Sequence, residues 1–128
     1  RKEKVIATTH ELAQVVIECL FPNAKKNPYF KIHPATKVFQ ALRIAVNDEL
    51  QVVTDAINGG IESLAPKGRF AIITFHSGED RIVKHLFKAF VEQEKIKLIT
   101  KKPLVPSDSE IRDNPRSRSS KLRIIEKL

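Results

Sequence analysis

Residues 70–75, Phe-Ala-Ile-Ile-Thr-Phe, form a nearly unbroken apolar run of β-forming side chains. Such a run suits a strand buried on both faces, as in a parallel sheet. A long helical pattern precedes it: Phe39, Leu42, Val46, Leu50, Val53, Ile57, Ile61 and Leu64 recur at helical spacing as one sustained apolar stripe. Gly59-Gly60 falls inside that stripe and is expected to weaken or kink it, since each glycine costs about 1 kcal/mol relative to alanine. Pro66 ends the pattern, and Leu64 to Arg69 reads as a turn. Helix, turn and buried strand make half of a β-α-β unit, so the expected fold class is α/β.

The flanks extend this order. Thr8 and Glu11 fit a capping box, and Leu12, Val15, Val16, Cys19 and Leu20 follow on one helical face that Pro22 ends. Cys19 belongs to that face, which makes packing its expected role. Asn23 to Lys31 reads as a polar loop broken at Asn27-Pro28. Beyond the apolar strand, Ile82, Val83, Leu86, Phe87, Phe90 and Val91 mark another helix. Lys95 to Lys101 reads as a strand, Pro103 to Ser120 as a polar connection, and Leu122 to Ile125 as a last short strand.

The formal net charge of +8 suits a polyanionic partner, nucleic acid before membrane. No apolar run approaches the roughly 20 residues that span a bilayer, and no signal-peptide pattern is present. One cysteine excludes an internal disulfide and points weakly to a reducing compartment, so a cytoplasmic location is expected. The chain opens with Arg1-Lys2-Glu3-Lys4 and contains no Met, so it is expected to be a fragment or a processed piece.

In open α/β sheets, ligands bind beyond the carboxyl ends of the strands. His76-Ser77-Gly78-Glu79-Asp80-Arg81 would lie there, offering a base, a hydroxyl, two carboxylates and a guanidinium. The same residues also fit a helix start, with Ser77 as cap and Asp80 three positions on. The two roles are compatible. His10, His33, His76 and His85 show no paired-ligand spacing, so no metal is expected. On the long helix, Gln40, Arg43 and Asn47 share one polar edge, which suits a groove or an ordinary solvated border. The segment 112–121 is basic and serine-rich, as a phosphate-binding loop or a solvated one would be.

Three stretches together resemble one family, the bacterial-type cytosine-N4 methyltransferases of small-subunit ribosomal RNA (the MraW or RsmH family). They are His33-Pro-Ala-Thr-Lys-Val-Phe-Gln-Ala-Leu-Arg-Ile-Ala-Val-Asn-Asp-Glu-Leu50, Phe75-His-Ser-Gly-Glu-Asp-Arg-Ile-Val-Lys84 and Asn114-Pro-Arg-Ser-Arg-Ser-Ser-Lys-Leu-Arg123. Their order and spacing also agree. Two positions depart from the family's usual pattern: Gly78 stands where Leu is common, and Lys67 where a second Gly is common.

The resemblance implies the C-terminal part of a class I (Rossmann-like) S-adenosylmethionine-dependent methyltransferase. Residues 1–32 would be the end of an inserted helical subdomain and its loop, and residues 33–128 part of the methyltransferase domain, closed by a final antiparallel strand pair. It implies transfer of a methyl group to a cytosine amine, with the main S-adenosylmethionine contacts upstream of Arg1 and none in this chain. Asn47 and His76 are the expected base-orienting residues, with Asp48, Ser77, Glu79 and Asp80 lining the substrate pocket. Arg43, Arg81, Arg116, Arg118, Lys121 and Arg123 are the expected RNA contacts. The partner is small-subunit ribosomal RNA, not a membrane. The chain alone is expected to be inactive and, with a sheet edge left open, to show partial order, oligomerisation or strand exchange. A non-catalytic basic RNA-binding module is the alternative reading.

Overall fold

The computed structural model describes residues 5–20 and 32–128. The expected end of the first helix at Pro22 and the loop over 23–31 lie outside the described residues. The chain divides into two compact units, Arg1–Asn47 and Asp48–Leu128.

The first unit holds helices α1 (Thr9–Leu20) and α2 (Thr36–Asn47). The capping box at the start of α1 is present: Glu11 N–H donates to Thr8 Oγ1 at 3.2 Å, and Thr8 N–H to the Glu11 carboxylate at 3.2 Å. Of the α1 stripe only Val16 is buried. Cys19 is exposed, so the packing role expected for it is not met. The stripe is wider than the apolar surface its surroundings cover.

The long helical stripe is not one helix. Asp48 takes a left-handed backbone (φ 50°), and α3 (Glu49–Ser63) starts anew after it. A left-handed residue cannot continue a right-handed helix. The apolar spacing continues in the sequence across the break, but on α2 Leu42 and Val46 are exposed, whereas on α3 Ile57 and Ile61 are buried. Conversely, α3 passes through Gly59 and Gly60 without interruption. The reason is packing: a Cβ on Gly60 would lie 2.7 Å from Phe70 Cζ, so the missing side chain lets the Phe70 ring sit against the helix.

The turn after α3 brings Gly68 N–H to the Ala65 carbonyl at 2.8 Å, with Lys67 at φ 65°. This is the geometry of a type II turn, in which glycine is favoured at the third position. Strand β1 (Arg69–Thr74) follows, then α4 (Ser77–Glu92) and β2 (Ile96–Leu98). The segment expected to be a plain polar connection contains a short helix, α5 (Asp108–Asp113), and a 3₁₀ turn (Pro115–Ser119). Ser107 caps α5 by accepting from Glu110 N–H at 3.2 Å, so Ser107 followed by Glu110 was a readable start signal. Strand β3 (Lys121–Lys127) ends the fold.

The architecture is mixed α/β with a small antiparallel sheet ordered β1-β3-β2. The last two strands pair antiparallel as expected, with β3 seated between β1 and β2. The core joins Ile57 and Ile61 of α3, Val83 and Phe87 of α4, Ile96 of β2 and Ile125 of β3. Phe70 and Ile72 of β1 pack on this cluster. Lys127 Nζ donates to the carbonyls of Glu62 (3.0 Å) and Leu64 (2.6 Å), closing the C-terminal end of α3.

Strand β1 is not buried on both faces. Phe70, Ile72 and Thr74 face the helices, while Arg69, Ala71 and Ile73 alternate with them and are exposed, Ile73 at 58%. The partner of β1 among the described residues is antiparallel β3, and the helices that meet its side chains lie on one side.

The two glycines of α3 offer a paired test in the full-length protein. Gly59 has open space where a Cβ would go. Gly59→Ala should therefore stabilise by up to about 1 kcal/mol through helix propensity. Gly60→Ala should destabilise by about 1–3 kcal/mol, because the added methyl must displace a packed ring. Urea unfolding of both variants measures this. Equal effects of the same sign would refute the packing explanation for Gly60.

Candidate functional site

The segment after β1 begins at Phe75 and enters α4 directly. Its cap is His76, not Ser77. His76 Nδ1 accepts from Glu79 N–H at 3.3 Å, while the Glu79 carboxylate accepts from the N–H groups of His76 (3.1 Å) and Phe75 (2.9 Å). The capping box expected from Ser77 and Asp80 is thus set one residue earlier, and an imidazole replaces the hydroxyl. The substitution works because His76 is extended (φ −135°, ψ 162°), the backbone of a cap residue.

This arrangement fixes the imidazole. With Nδ1 accepting, Nε2 carries the ring proton. Nε2 lies 3.2 Å from Glu79 Oε1 but outside hydrogen-bonding geometry, so it is a buried donor with no hydrogen-bond partner among the described residues. Gly78 gives the ring room: a Cβ there would meet His76 Nδ1 at 3.1 Å and Leu50 Cδ2 at 3.8 Å. Leu50 lies in the first turn of α3, so the starts of α3 and α4 are neighbours.

Asp80, one position further on, is already engaged. It accepts from Arg123 Nε at 2.8 Å and Lys121 Nζ at 3.1 Å, tying α4 to β3. The hydrogen bond from Arg123, helped by Lys121 and opposed by desolvation, holds its carboxyl below the ordinary carboxylate range. A matching cluster joins the three strands. Glu126 on β3 accepts from Lys97 of β2 at 2.6 Å and from Arg69 of β1 at 3.1 Å. Lys97 and Arg69 hold its carboxyl low as well.

The candidates therefore separate. His76 and Glu79 form one capping unit, and Asp80 forms another with Lys121 and Arg123. Ser77 and Arg81 are exposed on the first turn of α4. Asp48 is the left-handed residue before α3. Arg116 and Arg118 are exposed in the 3₁₀ turn, apart from the Asp80 cluster. Arg43 and Asn47 lie on α2, in the first unit. The Asp80 cluster and the bridging role of Glu126 were not foreseen. The sequence signal for them was the set of charges within the last strand, at Lys121, Arg123, Glu126 and Lys127.

S-adenosylmethionine needs a cradle for its nucleoside and carboxylate, commonly built on glycines that let backbone approach closely. None of the four glycines builds one: none has positive φ, Gly60, Gly68 and Gly78 are backed by Phe70, Ala65 and His76, and Gly59 faces open space. The described residues do not fit the cofactor. Nor do three His, Cys, Asp or Glu side chains converge among them as a metal site would require. No helix among the described residues is long and apolar enough to cross a membrane.

Comparison with known proteins gives a consistent result. The profile of the MraW methylase family matches residues 1–128. A protein of Sulfurihydrogenibium sp. (strain YO3AOP1) named ribosomal RNA small subunit methyltransferase H is 50% identical over 124 residues, covering 97% of this chain and 41% of the relative. The protein of that name from Persephonella marina is 47% identical over 128 residues, covering all of the chain and 43% of the relative. The one from Nostoc sp. (strain PCC 7120) is 52% identical over 120 residues, covering 94% and 38%. The chain thus spans about two fifths of the length of the curated relatives it matches.

The Asp80 clamp has a pH signature. A carboxyl whose folded pKa is lowered contributes stability above its unfolded value, near 3.8. That contribution fades as pH falls through the folded value. Asp80→Asn should cost about 2 kcal/mol at pH 7 and should flatten the loss of stability seen below about pH 4. Urea midpoints at pH 7 and pH 3 read both effects. An acid limb identical to that of the unsubstituted protein would show that the clamp contributes nothing.

Proposed function

The chain belongs to the MraW methylase family, and from that premise we propose that it is the C-terminal part of an enzyme that methylates the N4 amine of a cytosine in small-subunit ribosomal RNA. S-adenosylmethionine supplies the methyl group and is held by the part of the enzyme outside this chain. In this reading the enzyme has a Rossmann-like domain with an inserted helical subdomain, and its remainder covers the exposed face of β1. It works in the cytoplasm, and a homo-oligomer forms where that face is left open.

The observation that carries the proposal is His76, a largely buried imidazole fixed just past the carboxyl end of β1, whose Nε2 has no hydrogen-bond partner among the described residues. A cytosine offers acceptors at its ring nitrogen and carbonyl. Nε2–H donates to one of them and holds the base in plane. Asn47 is assigned a base-orienting role by the family resemblance: a side-chain amide carbonyl that accepts from the amine N–H draws electron density toward a nitrogen whose lone pair is otherwise delocalised into the ring. The base reaches these groups only when splayed out of its stack. Glu79 keeps the imidazole in this tautomer, and Asp48, Ser77 and Asp80 shape the surroundings. Arg43, Arg81, Arg116 and Arg118 contact the RNA backbone, while Lys121 and Arg123 reach it only as members of the Asp80 cluster.

A second reading, a basic RNA-binding module without catalysis, is favoured by the lack of a cofactor cradle among the described residues. The test is methyl transfer to small-subunit RNA by the full-length protein. Asn47→Ala and His76→Ala should each lower turnover about a hundredfold with little change in RNA affinity. Replacing Arg116 and Arg118 by alanine should weaken RNA affinity and reduce its salt slope by about 1–2. Equal losses of turnover and binding in all variants would reject this division. RNA binding without methyl transfer by the unsubstituted protein would favour the second reading.

A further inference from the structure

We propose that the groove between α4 and β2 grips the phosphodiester backbone of the RNA substrate, through Lys84, Lys88 and Lys101. The choice of RNA rests on the methyltransferase reading above. The groove itself rests on a separate set of residues, none of them in the loop after β1.

The groove has a volume of about 210 Å³ and is lined by Lys84, Phe87, Lys88, Val91, Leu98, Thr100, Lys101 and Arg123. No carboxylate among the described residues lines it. Lys84 and Lys88 stand one turn apart on α4, and Arg81 continues their stripe toward the helix start. Lys101 faces them from the segment after β2. All three lysines are exposed. Lys88 lies 3.6 Å from Glu92, but with both side chains about two-thirds exposed or more that pair is weak. Arg123 is neutralised by Asp80, so it adds rigidity to the groove more than charge.

The remaining lining completes a backbone site. Thr100 Oγ1 accepts from Ile124 N–H at 2.9 Å, which orients its own O–H proton for donation. Val91 and Leu98 are 37% and 39% exposed, an apolar floor on which a ribose can lie. The volume is below the roughly 300–1,000 Å³ of enclosed small-molecule sites. A groove this small, rimmed by cations and free of acids, matches one sugar-phosphate unit of a passing strand. Phe87 is 2% exposed, so no ring is presented for base stacking, and the contact is with the backbone, without sequence preference.

The test uses the full-length protein and fluorescein-labelled small-subunit ribosomal RNA, with anisotropy read across a salt series. The triple variant K84Q/K88Q/K101Q should bind more than about tenfold more weakly at low salt. Its slope of log affinity against log salt should fall by about 2–3, one phosphate contact per lysine. The triple arginine variant K84R/K88R/K101R should retain both. A second measurement needs no variant: bound RNA should protect Lys84, Lys88 and Lys101 from acetylation while leaving Lys95, which sits over the Phe90 ring, reactive. Unchanged slope and affinity in the glutamine variant, or acetylation of the three lysines unaffected by RNA, would overturn the groove and leave the methyltransferase reading intact. Failure of the unsubstituted protein to bind RNA would overturn both.

Discussion

Strands β1 and β2 do not touch. The crossover through α4 returns the chain one lane too far, leaving a gap of two strand spacings, roughly 9–10 Å. Strand β3 fills that gap, and the second unit depends on it. Its side chains supply Ile125 to the core, Lys121 and Arg123 to Asp80, Glu126 to both neighbouring strands and Lys127 to the end of α3. Nearly every residue of the strand has a tertiary partner. The sheet is therefore completed by the segment furthest along the chain, at a contact distance of 57 residues between Arg69 and Glu126.

This dependence also fixes how α4 begins. Asp80 is pulled down onto β3, which sets the rotation of the first turn of α4. Glu79 then reaches back to the two preceding backbone N–H groups and leaves His76 nowhere to rotate. A polar group buried without a partner costs free energy, typically about 1–3 kcal/mol. Nε2 of His76 carries such a cost beside two carboxylates, Glu79 and Asp80, that are both engaged.

Much of the fold could be read from local chemistry. The box at Thr8 and Glu11, the helix over Ile82–Val91 and the strand over 70–75 each follow from spacing within a few residues. What could not be read was decided elsewhere. The break at Asp48 has no glycine or proline to announce it, and the stripe continues across it. Gly59-Gly60 looked like a break and proved to be a seat for Phe70, a residue ten positions away. Lys67 adopts a left-handed backbone that favours glycine, which makes the turn harder to recognise from its sequence. The candidate site was legible as a segment and not as an arrangement. His76, Glu79 and Asp80 were singled out, but only geometry divides them into an imidazole and carboxylate that cap α4 and a second carboxylate tied to β3.

The charge balance shows the same limit. A net charge of +8 says that the protein is basic, not where. Pairing sorts the cations. Glu126 takes Arg69 and Lys97, Asp80 takes Lys121 and Arg123, and Lys127 turns to helix carbonyls. The sheet thus uses up its own basic residues as internal fastenings. Arg81, Lys84 and Lys101 on the α4 side, and Arg116 and Arg118 in the 3₁₀ turn, have no ion pair among the described residues. Exposed charge without a local counter-charge is what sets the field felt by a polyanion at a distance. Part of the excess positive charge thus stands on α4 and the 3₁₀ turn, on side chains that the sheet's internal pairing leaves untouched.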